Sequence, residues 1–137
     1  MKTVHVCTAI IHKGDAILAC KRSDNHMNGW EFPGGKVEPH EKPEQTCLRE
    51  IKEELNVELG PMFYYDTVEY DYPDFHLHMD VFISQLTADQ TPLPRVHSEL
   101  RWLSRNELMD VKWLAADTEL VRGLGVMWEQ LFWAEHL

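Results

Sequence analysis

GGKVEPHEKPEQTCLREIKEELNV, Gly34 to Val57, is the stretch that decides how the rest of the chain is read. Two glycines end a strand-like Trp30-Glu31-Phe32-Pro33, and a polar loop follows. Pro43 then stands where a first helical turn can use its fixed φ and needs no N–H. The spacing predicts a helix from Pro43 to Leu55, with Cys47, Leu48, Ile51 and Leu55 on one apolar face. Glu50, Glu53 and Glu54 stand at i, i+3 and i+4, so three carboxylates project from neighbouring positions on the other side. Arg49 lies four residues before Glu53. Like charges at this spacing cost an isolated helix roughly 0.2–0.5 kcal/mol per pair. A hard divalent cation would offset that, because Mg²⁺ takes oxygen ligands, commonly one or two carboxylates together with substrate phosphates. Taken alone, a Glu-rich helix face is more often simply solvated.

The wider pattern changes the balance. Gly35, Glu41, Arg49, Glu50, Glu53 and Glu54, with aliphatic Ile51 and Val57, run glycine, five residues, Glu, seven residues, Arg-Glu-aliphatic-any-Glu-Glu, two residues, aliphatic. From average residue usage, a chain of this length matches those positions by chance with a probability on the order of 10⁻⁶. The pattern resembles the signature of the Nudix hydrolases. Asn56 departs from it, since the family usually has Gly there, just past the helix. Left-handed backbone is common at that position and Asn tolerates it, so the expected consequence is a small loss of stability and not of chemistry.

Composition bounds the remaining readings. With 137 residues, the chain is expected to form a single domain, residues 1–137. Its 44% apolar and 26% charged content is ordinary for a water-soluble protein, and no segment has the length or purity of a membrane span. The early apolar run Val4–Ile11 contains His5, is followed by His12-Lys13-Gly14-Asp15 and lacks a cleavage site, which predicts a first strand and a cytoplasmic protein. Cys7, Cys20 and Cys47 are odd in number and widely spaced, as expected of reduced, mostly buried thiols. A net charge of −10 with scattered Lys and Arg disfavours polymeric nucleic acid, which needs a basic footprint. A single nucleotide is compatible, because its phosphates can arrive with their own Mg²⁺.

Taken in order, Val4–Ile11 and Ala16–Lys21 are β-prone runs around a Gly-containing turn, the second too apolar for its faces to be assigned. Ser23 to Gly29 is a polar loop. Beyond the acidic helix, Phe63–Tyr70 and His76–Leu86 read as antiparallel strands around Asp71-Tyr72-Pro73-Asp74. A proline-punctuated loop, Thr87 to His97, precedes a short strand at Leu100–Leu103. Ser104 and Glu107 form a capping-box pattern. Asp117 begins a terminal helix striped by Leu120, Leu124, Met127 and Leu131 and weakened by Gly123 and Gly125. This pattern predicts an α+β fold in which a mixed sheet lies between helices. The resemblance implies the same architecture, an α/β/α sandwich.

The chain also resembles the MutT branch of the family, the small nucleoside triphosphate pyrophosphohydrolases, over nearly its whole length. Lys21-Arg22, His26-Met27 and WEFPGGK at Trp30 to Lys36 look like that branch's approach to the signature, and VEYDYPDFH at Val68 to His76 resembles its following hairpin. Leu114-Ala115-Ala116-Asp117 is similar to the start of the last helix in both the mutator enzymes and their CTP-preferring relatives. The resemblance implies a Mg²⁺-dependent enzyme, with Mn²⁺ as a substitute, that attacks the β-phosphorus of a nucleoside triphosphate and serves nucleotide-pool sanitation. It implies that the Gly34 carbonyl and the carboxylates of Glu50, Glu53 and Glu54 hold metal. Glu99 is the nearest candidate for a further loop ligand, with an exposed strand-end charge as the equal alternative. Glu50 would take a proton from the attacking water, Arg49 would orient it, and Glu41 would tie down the loop. Arg22 and Lys36 are candidate phosphate contacts, and His26 a loop residue near the nucleotide. Trp30, Phe32 and Trp102 are better read as core than as stacking platforms. His97 has no assigned role. Asp117 could read the base or merely cap its helix. A nucleotide-sugar or dinucleotide pyrophosphatase shares the same catalytic residues, and a noncatalytic nucleotide-binding module is the competitor from another class. No nucleic-acid polymer or membrane partner is expected, and the chain would be a monomer or homodimer.

Overall fold

The computed structural model describes residues 1–23 and 27–133. Its strands are β1 (Lys2–Lys13), β2 (Ala16–Ser23), β3 (Asn28–Glu31), β4 (Gly34–Lys36), β5 (Phe63–Asp71), β6 (Phe75–Ser84) and β7 (Glu99–Ser104), and its α-helices are α1 (Pro43–Leu55) and α2 (Ala115–Trp128). Long β1 joins the two halves of a mixed sheet. It runs parallel to β6 from Lys2 opposite Phe75 to Ile11 opposite Ser84, and antiparallel to β4 and β2. β5 completes one side of the sheet, while β3 and β7 pair with β2 on the other.

Both faces of the sheet are buried at its centre, along Cys7–His12 of β1 and Ile17–Cys20 of β2, which explains why β2 shows no alternation in sequence. Ile10, Ile17 and Ala19 pack with Val121, Leu124 and Trp128 of α2. Their strand neighbours Cys7, Ala9, Ile11, Leu18 and Cys20 pack with Cys47, Ile51 and Leu55 of α1 on the opposite face. The expected sandwich, α+β with a mixed sheet between helices, is thus observed. All three cysteines are buried free thiols. Among the described residues no helix is long and apolar enough to cross a membrane.

Local chemistry sets the helix ends. Pro43 opens α1, and the Gln45 side chain reaches back to accept the Lys42 N–H at 2.8 Å. Asn56 closes the helix at φ 57°, the left-handed geometry expected where the family has Gly. Three details differ from the sequence reading. Leu48 is 45% exposed, and Thr46 is buried in its stead because Glu41 accepts its hydroxyl at 3.0 Å. On α2, Met127 is 41% exposed and the next residue, Trp128, fills the core position, packing on Phe132. The glycines expected to end a strand instead form β4 against β1. A Cβ on Gly34 would lie 2.0 Å from the Cys7 carbonyl oxygen, so only glycine lets the two backbones approach.

Candidate active site

β4, the loop after it and α1 bring the signature residues together through one guanidinium. Arg49 Nε donates to Glu41 Oε2 at 2.7 Å and a terminal nitrogen donates to Glu41 Oε1 at 2.8 Å, the two-point geometry that suits a planar fork. The other terminal nitrogen donates to Glu50 Oε1 at 2.8 Å and lies 3.7 Å from Glu53 Oε2. Glu41 also accepts the Glu38 N–H and the Thr46 hydroxyl, both at 3.0 Å. The Arg49 hydrogen bonds, above all, hold the Glu41 carboxyl down at about 2. Glu41 is therefore ionised near neutral pH and anchors Arg49, and Arg49 sets the orientation of Glu50.

Glu50 also faces Glu54. Burial first, and then the hydrogen bond and charge of Glu50, raise the Glu54 carboxyl to about 8, against the opposing pull of a backbone hydrogen bond from Gly34. Two carboxylates close enough to share a proton form a place where a cation is favoured. Gly35 makes this approach available, because a Cβ there would sit 2.4 Å from Glu50 Cδ. Glu53 is the most exposed of the three helix carboxylates.

Beside this cluster opens a cavity of about 620 Å³, within the usual size range of small-ligand sites. Glu54, Gly34, Lys36, Arg22 and Asp117 all line it. Arg22 lies 3.6 Å from Glu31, and the Lys36 carbonyl accepts from Arg49 at 3.5 Å. Glu99 is exposed at the first position of β7, opposite Lys21, and is not among the lining residues. His26 lies outside the described residues. Trp30 and Phe32 are core, as expected, Phe32 packing on Trp113 at 4.9 Å between ring centroids.

Asp117 does not cap α2. The helix begins two residues earlier with Leu114 at the cap position, and Asp117 stands among the residues that line the cavity. It is only 4% exposed, and its Oδ1 has no hydrogen-bond partner within the protein. Burial, with the nearby Glu31 charge, raises its carboxyl to about 8. An isolated buried carboxyl is costly unless something in the cavity meets it.

Two lining residues escaped the sequence reading. His97, whose side chain is 4% exposed, places Nε2 at 3.0 Å from Glu31 Oε2, while its buried Nδ1 has no partner within the protein. The one available signal was Glu31, an acid between the aromatics Trp30 and Phe32. Nothing in the loop sequence marked His97, because its partner lies 66 residues away.

Residues 1–124 match the NUDIX domain. The chain belongs to the Nudix family. It is similar to the 8-oxo-dGTP diphosphatase of Proteus vulgaris, 38% identical over 85 residues, 60% of this chain and 76% of the relative. It is also similar to the CTP pyrophosphohydrolase of Escherichia coli, 33% identical over 128 residues, 88% of this chain and 90% of the relative. A solved MutT structure, from work on the Aliivibrio salmonicida and Vibrio cholerae proteins, superposes with a TM-score of 0.77 at 28% identity, covering 92% of this chain and 99% of that one. This Nudix chain is accordingly a MutT-like hydrolase of phosphoric anhydrides, and its family generally works with divalent metals.

Proposed function

We propose that the chain is a Mg²⁺-dependent nucleoside triphosphate pyrophosphohydrolase that releases the monophosphate and pyrophosphate, acting on CTP-type or oxidised guanine nucleotides. The observation that supports it most is Glu54, whose carboxylate belongs both to the cluster on α1 and to the wall of the cavity that Asp117 also lines. Phosphates held at that carboxylate and a base meeting Asp117 would share one cavity.

The donor set fits a hard cation, since the Gly34 carbonyl, Glu50, Glu53 and Glu54 offer oxygen alone. When bound, Mg²⁺ supplies positive charge to the phosphoryl oxygens and acidifies a water. Glu50, steadied by the 2.8 Å bond from Arg49, takes the proton of the attacking water. The new bond joins that water oxygen to the β-phosphorus, and the bond from β-phosphorus to the α,β-bridging oxygen breaks, so the monophosphate departs. Arg22 and Lys36 bind phosphate oxygens at the cavity wall, and Asp117 meets the base. The protein acts as a single domain on small nucleotides in the cytoplasm, as a monomer or homodimer.

A panel of nucleoside triphosphates, nucleotide sugars and dinucleotides with Mg²⁺, scored for pyrophosphate against phosphate release, tests the reading. Pyrophosphate from a triphosphate is the expected product. Preferential cleavage of a nucleotide sugar or dinucleotide would replace the substrate class, and no turnover of any member would leave a noncatalytic binding module.

A further inference from the structure

His5, His78 and Asp80 meet on the face of the sheet turned away from the cavity. Register places them there. β1 and β6 run parallel with His5 opposite His78, and Asp80 stands two residues further along β6, so all three side chains leave the same face. The alternate residues Val4, Val6, Leu77 and Met79 line the cavity on the other face. One ligand atom from each of the three lies within 4.8 Å of the others. His5 Nε2 is 2.7 Å from Asp80 Oδ2, His78 Nε2 is 3.5 Å from Asp80 Oδ1, and the two imidazoles meet edge to face with centroids 4.7 Å apart.

The groups behind these atoms are also organised. His78 Nδ1 lies 2.8 Å from Glu69 Oε1, and a carboxylate accepts only, so Glu69 selects the Nδ1–H tautomer and leaves the Nε2 lone pair directed at Asp80. The Thr67 hydroxyl donates to Asp80 Oδ1 at 2.9 Å, which orients the carboxylate and leaves Oδ2 toward His5. Glu69 is itself steadied by His76 Nε2 at 3.1 Å, and His76 Nδ1 lies 2.6 Å from Asp71 Oδ1. An imidazole backed by a carboxylate is the arrangement that fixes ring orientation and raises basicity in metal-ligating histidines.

We propose that His5 Nε2, His78 Nε2 and an Asp80 carboxylate oxygen form a binding site for a late first-row divalent cation, Zn²⁺ foremost, separate from the carboxylates of α1. Two imidazoles and one carboxylate suit such an ion and disfavour Mg²⁺, which makes this donor set chemically distinct from the oxygen-only cluster. Three protein ligands on a partly exposed surface leave a coordination position for water. The ion takes the place of the hydrogen between His5 Nε2 and Asp80; a neutral imidazole carries that hydrogen on Nδ1 instead, which frees the Nε2 lone pair for the ion. It would also cross-link β1 and β6, the strands whose reverse face forms part of the cavity wall. None of this depends on the substrate proposed above.

Calorimetric titration of the full chain with Zn²⁺, in millimolar Mg²⁺ to keep the α1 carboxylates occupied, tests the site. The expected result is uptake of one Zn²⁺ that is lost in both His78→Ala and Asp80→Asn, with Mg²⁺-dependent hydrolysis unchanged in Mg²⁺ alone. Glu69→Gln should weaken uptake about 10- to 100-fold by releasing the imidazole it orients. Co²⁺ in place of Zn²⁺ should give visible ligand-field bands that disappear in the same variants. His5→Gln, a change at a partly exposed position, reads the same ligand set if His78→Ala fails to fold. No Zn²⁺ uptake by the unaltered chain, or uptake that survives both His78→Ala and Asp80→Asn, overturns the proposal.

Discussion

Replacing Asp117 by Asn keeps the side-chain shape and removes its proton equilibrium, so it separates two consequences of burial. The carboxyl titrates at about 8 in the folded chain, because burial and the Glu31 charge both oppose ionisation. Its unfolded value is ~3.9. A folded value above the unfolded one gives stability that is complete below pH ~4 and is lost as pH rises toward 8. Four pH units at ~1.36 kcal/mol each set an upper limit of about 5 kcal/mol for that loss. Asp117 borders an open cavity, and water there raises the effective dielectric, so a loss of about 1–3 kcal/mol is expected. Asp117→Asn should therefore be more stable than the unaltered chain at pH 8.5, by roughly 3–10 °C in Tm, and nearly equal to it at pH 4.5. Below pH 8 the protonated acid both donates and accepts, as Asn does, while above it the carboxylate only accepts. The ratio of kcat/KM for CTP against 8-oxo-dGTP should thus change near pH 8 in the unaltered chain and stay flat in Asp117→Asn. Differential scanning fluorimetry across pH, with kcat/KM for both substrates, measures each effect. Equal Tm differences at pH 4.5 and 8.5, or the same change of substrate ratio in Asp117→Asn, would refute the reasoning.

Other substitutions probe the carboxylate cluster. Glu50→Gln should lower kcat far more than nucleotide affinity, and Arg49→Ala should produce a smaller loss in the same direction; equal losses of binding and turnover in Glu50→Gln would leave Glu50 a holding group only. Glu53→Gln should lose about 10²-fold or more in turnover without unfolding and gain slightly in Tm without metal, so near-normal rates at saturating Mg²⁺ would remove Glu53 from the ligand set. Gly35→Ala should also lose about 10²-fold in kcat while keeping its circular dichroism spectrum, because the added methyl must push Glu50 aside; an unaffected kcat would show that the position of Glu50 does not matter. Hydrolysis in ¹⁸O-labelled water should place the label in pyrophosphate, and label in the monophosphate would move the attack to the α-phosphorus.

The sequence by itself determined α1 and the set of groups on it. Period, Pro43 and the Arg49-Glu50 and Glu53-Glu54 spacing are local, and a helix converts local spacing directly into a shared face. Asn56 was legible for the same reason, since one residue's φ is decided by its own side chain and the helix it ends. Where packing chooses among neighbours, the sequence misled. Leu48 and Met127 fit the apolar period, yet Thr46 and Trp128 occupy the core, because the seat is set by what lies across the sheet and by Glu41 accepting the Thr46 hydroxyl. Only the tertiary structure decided Asp117, whose capping pattern is real in sequence but whose helix starts two residues earlier and leaves the residue buried at the cavity wall. The same holds for Glu31 with His97 and for His5 with Asp80, pairs separated by 66 and 75 residues. Such contacts depend on which strands lie side by side and in what register, a choice made by burying both faces of the sheet's centre at once, and no local spacing records it.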